Sequence, residues 1–442
     1  MPSEALAIHG GKPVRIKPWL GNLTLGKEER DAACRTIQEG FLSLFEGSHQ
    51  PEPPFSFWGG PCVQKLEEAW AALYGAPYAV AMNSATSGLI AAVGALGIGY
   101  GDEVIVSPYT MCAAATAPLV YGAIPIFADV RLETGSLDPV SIERRITLRT
   151  KAVIVVHQFG IPADMDPILA TARRHGLKVI EDCAQAHGAR YKGRPVGTMG
   201  DIGVFSLNVN KTIQSGEGGV CLTRDDRLRH RLALIRNHAE AVVEEAGIED
   251  LTNLIGFNFR MTEILAAISI EQLRKLEHLN ALRIERVEFL NRALSDYSFL
   301  VPPPACAHAT WEEKCPSACR STYYLYPARF REEKAGMGRA EFIRILQAEG
   351  VPFSGGYVRP LYRLPIFQKK SLFRNGYPFQ APANREIQTN YGPEACPNAE
   401  RLYLREMLIN EYVRPPHTRE DMEDVARAVG KLAKNLRKEV TV

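Results

Sequence analysis

The feature that most limits what this chain can become is an alternation. Short apolar runs rich in β-branched residues recur at Tyr78 to Met82, Asp102 to Ser107, Ile124 to Val130, Ala152 to His157 and Lys178 to Asp182. Between them lie stretches long enough for helices, such as Asp166 to His175. Strands that alternate with helices predict a parallel sheet with helices packed on both of its faces. From about residue 295 the pattern changes to an α+β character, with a strand expected over Ser321 to Phe330 and helices over Arg339 to Glu349 and Arg419 to Leu436. A chain of 442 residues exceeds the usual single-domain size. Two domains are expected, a large one over 1–290 with an N-terminal arm and a small one over 291–442.

Ligands of parallel α/β sheets bind at the carboxyl ends of the strands, and residues with useful chemistry fall there. Asp182 closes one apolar run. Gly203 to Leu207 reads as a further strand that contains Ser206, and Asn208 to Gly219 is too polar and glycine-rich to be core, which puts Lys211 at the lip of the sheet beside Asp182. Singly, Asp182 reads as a turn residue and Lys211 as a solvated charge. Together they are a lysine able to form a Schiff base with an aldehyde and an aspartate able to hold a pyridine nitrogen protonated, the two groups pyridoxal phosphate most needs. Upstream, Ser84, Ala85, Thr86 and Ser87 open a helix, where free backbone N–H groups and the positive dipole end suit a phosphate.

The order D-x-x-Q-A-H-G-A from Asp182, G-D-I-G-V-F-S from Gly200 and N-K-x-x-x-x-G-E-G-G from Asn210 resembles the DegT/StrS-type sugar aminotransferases. The likeness runs from about Ala7 to the C-terminal helix. It implies the fold type I architecture of pyridoxal phosphate enzymes, a mainly parallel seven-stranded sheet flanked by helices with a smaller α+β C-terminal domain. It implies that Lys211 carries the cofactor and shuttles protons, and that Asp182 pairs with the pyridinium nitrogen. Gln185 would sit against the ring or its phenolic oxygen, and Ala85, Thr86 and Ser206 would bind the phosphate. Relatives commonly place an aromatic residue where Met111 stands, so either Met111 or Tyr109 is expected to cover the ring. Asn258, in a G-F-N-F-R-M segment, would reach across a homodimer interface to the partner's cofactor.

The arm Ala7 to Trp19 and the segment Tyr357 to Phe367 resemble the branch of the family that acts on keto-cyclitols of the scyllo-inosose type. The implied reaction moves an amino group from L-glutamine or L-glutamate to a keto-sugar or keto-cyclitol, in aminosugar or antibiotic-type biosynthesis. A nucleotide-linked keto-sugar acceptor stays open, as does a lyase or epimerase using the same lysine and aspartate.

A net charge of +2 and the lack of a basic stripe argue against nucleic acid or membrane partners. No run of eighteen apolar residues occurs, and a cytoplasmic protein is expected. Nine scattered cysteines do not suggest a secreted disulfide framework. Cys306, His308, Cys315 and Cys319 share one loop, but their spacing matches no standard zinc pattern, and no metal is expected.

Overall fold

The computed structural model of the chain describes residues 4–48, 52–244, 247–310, 312, 313, 315 and 318–439. Its main sheet has seven strands, Tyr78–Met82 (β1), Glu103–Val106 (β2), Ile124–Phe127 (β3), Thr150–Val156 (β4), Lys178–Asp182 (β5), Ile202–Ser206 (β8) and Gly219–Thr223 (β9). A short hairpin, Arg190–Tyr191 (β6) and Arg194–Pro195 (β7), stands outside it. The strand order is β1-β9-β8-β5-β4-β2-β3, parallel throughout except for β9, which runs antiparallel to both neighbours. The mainly parallel seven-stranded sheet of the sequence reading is therefore present.

The sheet is covered on both faces, as a parallel sheet must be. Strands β2, β3 and β8 are buried at every position. Helices Ala85–Ala95 (α3) and Asp226–Arg236 (α7) pack together against one side, after Lys27–Glu39 (α1) and Pro61–Tyr74 (α2) have opened the chain. Ala113–Val120 (α4) packs beside α3, and Pro139–Arg145 (α5) and Met165–His175 (α6), which pack on each other, supply the later crossovers. The edge strand β3 is not left open. Phe127 meets the rings of Tyr362, Phe367 and Tyr391, all from the polar stretch near the C-terminus, which caps an edge that would otherwise invite pairing.

The longest helix, Glu263–Leu294 (α8), is continuous over 32 residues with neither proline nor glycine to interrupt the ladder. It packs on α1 and α2 at one end and on the C-terminal helix Arg419–Glu439 at the other. We propose that α8 links two domains that divide near residue 290. The second sheet, antiparallel, has the order Leu300–Val301 (β10), Tyr326–Phe330 (β11), Met407–Asn410 (β13), Ser354–Gly355 (β12).

Strand β11 is shorter than the expected Ser321 to Phe330. Thr322 and Tyr324 donate their N–H groups to the carbonyls of Gly160 and Phe159 instead, and Tyr323 has a φ of 47°. That detour pins the segment to the loop after β4 and delivers Tyr324 to the site described below. The N-terminal arm is anchored by Glu349, whose buried carboxylate accepts from Ala7 N–H, Val14 N–H and Lys431 Nζ. Among the described residues no helix is long and apolar enough to cross a membrane.

Candidate active site

Strands β1, β5 and β8 are parallel, so their carboxyl ends share one edge of the sheet. Asp182 ends β5, in register with Val204 of β8 and Val156 of β4. It is buried, and its carboxylate accepts from Ala184 N–H at 3.0 Å. Burial raises its pKa, partly offset by that N–H and by the charge of Lys211. Lys211 is half-buried in the loop after β8, and its Nζ lies 4.7 Å from the ring centroid of Tyr324. The lip position read from sequence thus brings Lys211 within electrostatic range of Asp182.

The register of the sheet builds a second corner. Gly219 pairs with Met82 on one side and with Ser206 on the other. A Cβ at Gly219 would come within 2.6 Å of Ala85 N, so only glycine lets β9 approach the start of α3 this closely. The hydroxyl of Ser84 caps α3 by accepting from Ser87 N–H, and Ser87 Oγ donates to Asn83 Oδ1. Ala85 and Thr86 are left half-buried and exposed, respectively, at the N-terminal turn, with Ser206 beside them across Gly219.

Gln185 is fixed from both ends. Its Oε1 accepts from Phe159 N–H at 2.8 Å and its Nε2 donates to Tyr357 Oη at 2.8 Å. Burial holds the Tyr357 phenol well above its ordinary pKa, so it keeps its proton. Met111 and Tyr109 differ in their packing. Tyr109 is fully buried and donates to the Gly356 carbonyl at 2.7 Å, whereas Met111 is 54% exposed and uncommitted.

Asn258 is exposed. Its Oδ1 accepts from Arg260 Nε, and its carbonyl receives the Asn83 amide at 3.4 Å, just before α3. His187, in the same motif as Asp182 and Gln185, packs among Trp70 and Phe205, and burial with the nearby Lys211 charge pushes its pKa down to about 3. It is neutral and belongs to the core.

Three contributors escaped the sequence reading. Tyr324 faces Lys211 although a hundred residues separate them. Asn22 donates from its amide to the carbonyls of Val209 and Lys211, so the segment before α1 clamps the lysine loop. Glu181, one residue before Asp182, accepts from His157 Nε2 and from the N–H groups of Gly197, Met199 and Gly200. His157 Nδ1 in turn accepts from Ala163 N–H, which leaves its proton on Nε2. No local pattern marks these three, because each acts through a long-range contact.

A lysine at the lip of a mainly parallel seven-stranded sheet, near a buried carboxylate and an open helix N-terminus, is the arrangement of a pyridoxal phosphate-dependent aminotransferase, and this chain is one. It belongs to the DegT/DnrJ/EryC1/StrS aminotransferase family, whose model matches residues 55–430. It is 32% identical to an L-glutamine:2-deoxy-scyllo-inosose aminotransferase of Streptoalloteichus tenebrarius, with 97% of this chain and 98% of that protein covered. Among solved structures it is similar to an aminotransferase from Psychrobacter cryohalolentis (TM-score 0.78, 29% identity, 95% of this chain and all of that one). It is also similar to DesI in the presence of its TDP-sugar product (TM-score 0.76, 25% identity, 99% and 98% covered).

Proposed function

We propose that this protein uses pyridoxal phosphate to move an amino group from L-glutamine or L-glutamate to a keto-cyclitol, with Lys211 and Asp182 as the catalytic pair. The observation that carries the reading is the placement of Lys211 near a buried Asp182 that has no cationic side chain in ion-pair contact among the described residues. A buried carboxylate without such a partner is costly, and a protonated ring nitrogen facing it supplies the missing charge. The open N-terminal turn of α3 at Ala85 and Thr86, brought beside Ser206 by the close approach of Gly219, suits a phosphate in the same way. The residues present therefore fit the cofactor.

When bound, pyridoxal phosphate supplies the electron sink that delocalises the charge left by removal of a C–H proton. The chain's own residues do the rest. Asp182 would hold the proton on the ring nitrogen. Lys211 would bind the cofactor's aldehyde carbon and serve as the proton carrier. Ser206, Ala85 and Thr86 would hold the phosphate through hydroxyl and N–H groups. Gln185, held by Phe159 and Tyr357, would lie at the ring edge, and Met111 would cover its face through favourable sulfur–aromatic contact.

The cyclitol as acceptor and glutamine as donor rest on the named activity of the Streptoalloteichus relative. Likeness to DesI favours a nucleotide-linked keto-sugar as the competing acceptor. We further propose a cytoplasmic homodimer in which Asn258, exposed beside the start of α3, reaches the partner's phosphate site. The direct test supplies glutamine labelled with heavy nitrogen at the α-amino group together with either 2-deoxy-scyllo-inosose or a nucleotide-linked keto-sugar. Label in an aminocyclitol supports the proposal. Label only in the nucleotide sugar reverses the acceptor, and carbon–carbon or carbon–oxygen cleavage without transfer would indicate a lyase.

A further inference from the structure

Outside the site just described, the described residues place two sets of metal-ligating side chains close together, and their surroundings differ. His157, Glu181 and Cys183 form one. Both nitrogens of His157 are occupied, Glu181 already accepts four hydrogen bonds, and Cys183 donates its S–H to the Glu181 carbonyl. That set has no lone pairs to offer. The other set is Cys306, Cys315 and Cys319, whose sulfurs all lie within 4.8 Å of one another.

In this second set Cys306 Sγ donates to Cys315 Sγ at 2.8 Å, and two of the sulfurs also accept from backbone N–H groups. Cys306 Sγ accepts from His308 N–H at 3.4 Å, and Cys319 Sγ accepts from Lys192 N–H at 3.2 Å. Amide N–H groups aimed at sulfur favour thiolate over thiol. Cys306 is buried and Cys315 and Cys319 are half-buried, so the three are shielded without being closed off. Separation along the chain is no obstacle. Cys306 is turned back by a bridge to Ala309, and Cys319 is brought onto the hairpin by the bridge of Arg320 to Arg190. A tetrahedral thiophilic cation with metal–sulfur bonds of about 2.3 Å holds its sulfurs about 3.8 Å apart, so binding parts Cys306 Sγ from Cys315 Sγ, which stand 2.8 Å apart in the cation-free protein.

We infer that Cys306, Cys315 and Cys319 form a three-thiolate site for a thiophilic divalent cation of the zinc class. The cation displaces the three thiol protons to solvent. His308 does not complete the set through Nε2, which is bonded to Tyr191 Oη and lies 3.3 Å from Asp164 Oδ1. The fourth position is therefore left to a solvent molecule or a small exogenous ligand. The role is structural. The site ties the loop to the β6–β7 hairpin just ahead of Tyr324, which faces Lys211.

The test uses the full-length, cofactor-loaded protein. Purified under reductant and exchanged with cobalt(II), it should show thiolate-to-metal charge transfer in the near ultraviolet. It should also show the intense red-region bands of tetrahedral cobalt, a region in which pyridoxal phosphate is transparent. Zinc analysis after dialysis should give about one metal per chain, lost in Cys306→Ser and Cys319→Ser and kept in Cys34→Ser, which changes an exposed thiol. If the serine variants do not fold, the cobalt spectrum of the unaltered protein decides. Weak octahedral cobalt bands, thiols that react equally fast with and without zinc, or a Cys306 to Cys315 disulfide in protein prepared without reductant would each overturn the inference.

Discussion

The Nζ of Lys211 stands 4.7 Å from the ring centroid of Tyr324. Tyr324 comes from the segment just before β11, which bonds the Phe159 carbonyl through its backbone N–H, so the lysine is walled by a residue remote in sequence. An aromatic face beside an ammonium contributes about 0.5–1 kcal/mol. Tyr324→Leu should lower kcat severalfold with cofactor content unchanged, and Tyr324→Phe should restore most of it. Steady-state kinetics at matched cofactor loading checks this. Equal losses in both variants would transfer the effect to the phenol hydroxyl.

Adjacent residues on β5 should affect stability in opposite directions. Glu181 is buried, which alone raises its pKa, but the His157 hydrogen bond and the backbone N–H groups outweigh burial and the net shift is downward. A lowered folded pKa means stability that is present above the ordinary glutamate range and lost as pH falls through the folded value. Asp182 is shifted upward by burial. Its folded form binds the proton more tightly, so its contribution declines as pH rises above the ordinary aspartate range. In cofactor-free protein at neutral pH, Glu181→Gln should cost about 1.5–3 kcal/mol, the worth of one charged hydrogen bond. Asp182→Asn should raise the melting temperature while abolishing transamination. Thermal melts of both variants between pH 4 and about pH 8 provide the comparison, the range spanning the window in which buried carboxylates titrate.

Gly219→Ala tests the phosphate corner. The new Cβ would lie 2.6 Å from Ala85 N, and either β9 or the first turn of α3 must move. Affinity for pyridoxal phosphate should fall while affinity for pyridoxal, which lacks the phosphate, changes little. Titration of cofactor-free protein with the two compounds separates these effects. A parallel loss for both would place the disturbance elsewhere.

Much of the fold was legible because it rests on local pattern. The runs at Lys178 to Asp182 and Tyr78 to Met82 match strands residue for residue, and Tyr78 to Met82 carries the unbroken apolar signature of a buried strand. The sheet-lip position of Lys211 followed from the polar, glycine-flanked composition of its loop. What stayed illegible depends on distance along the chain. Tyr324, Asn22 and the turn of Tyr357 at a φ of 56° act at the site only after segments far apart in the chain have packed.

The central claim is that Lys211 both holds the cofactor and moves the proton. It is tested most directly by visible spectra of the unaltered protein and of Lys211→Ala, each with pyridoxal phosphate, before and after L-glutamine without an acceptor. The unaltered protein should show the band of lysine-bound cofactor, which fades with glutamine and returns when a keto-cyclitol is added. Lys211→Ala should lack that starting band and convert glutamine at least ~10²–10⁴-fold more slowly, the usual worth of general acid–base catalysis. A Lys211→Ala protein whose band and glutamine response match those of the unaltered protein would contradict the account.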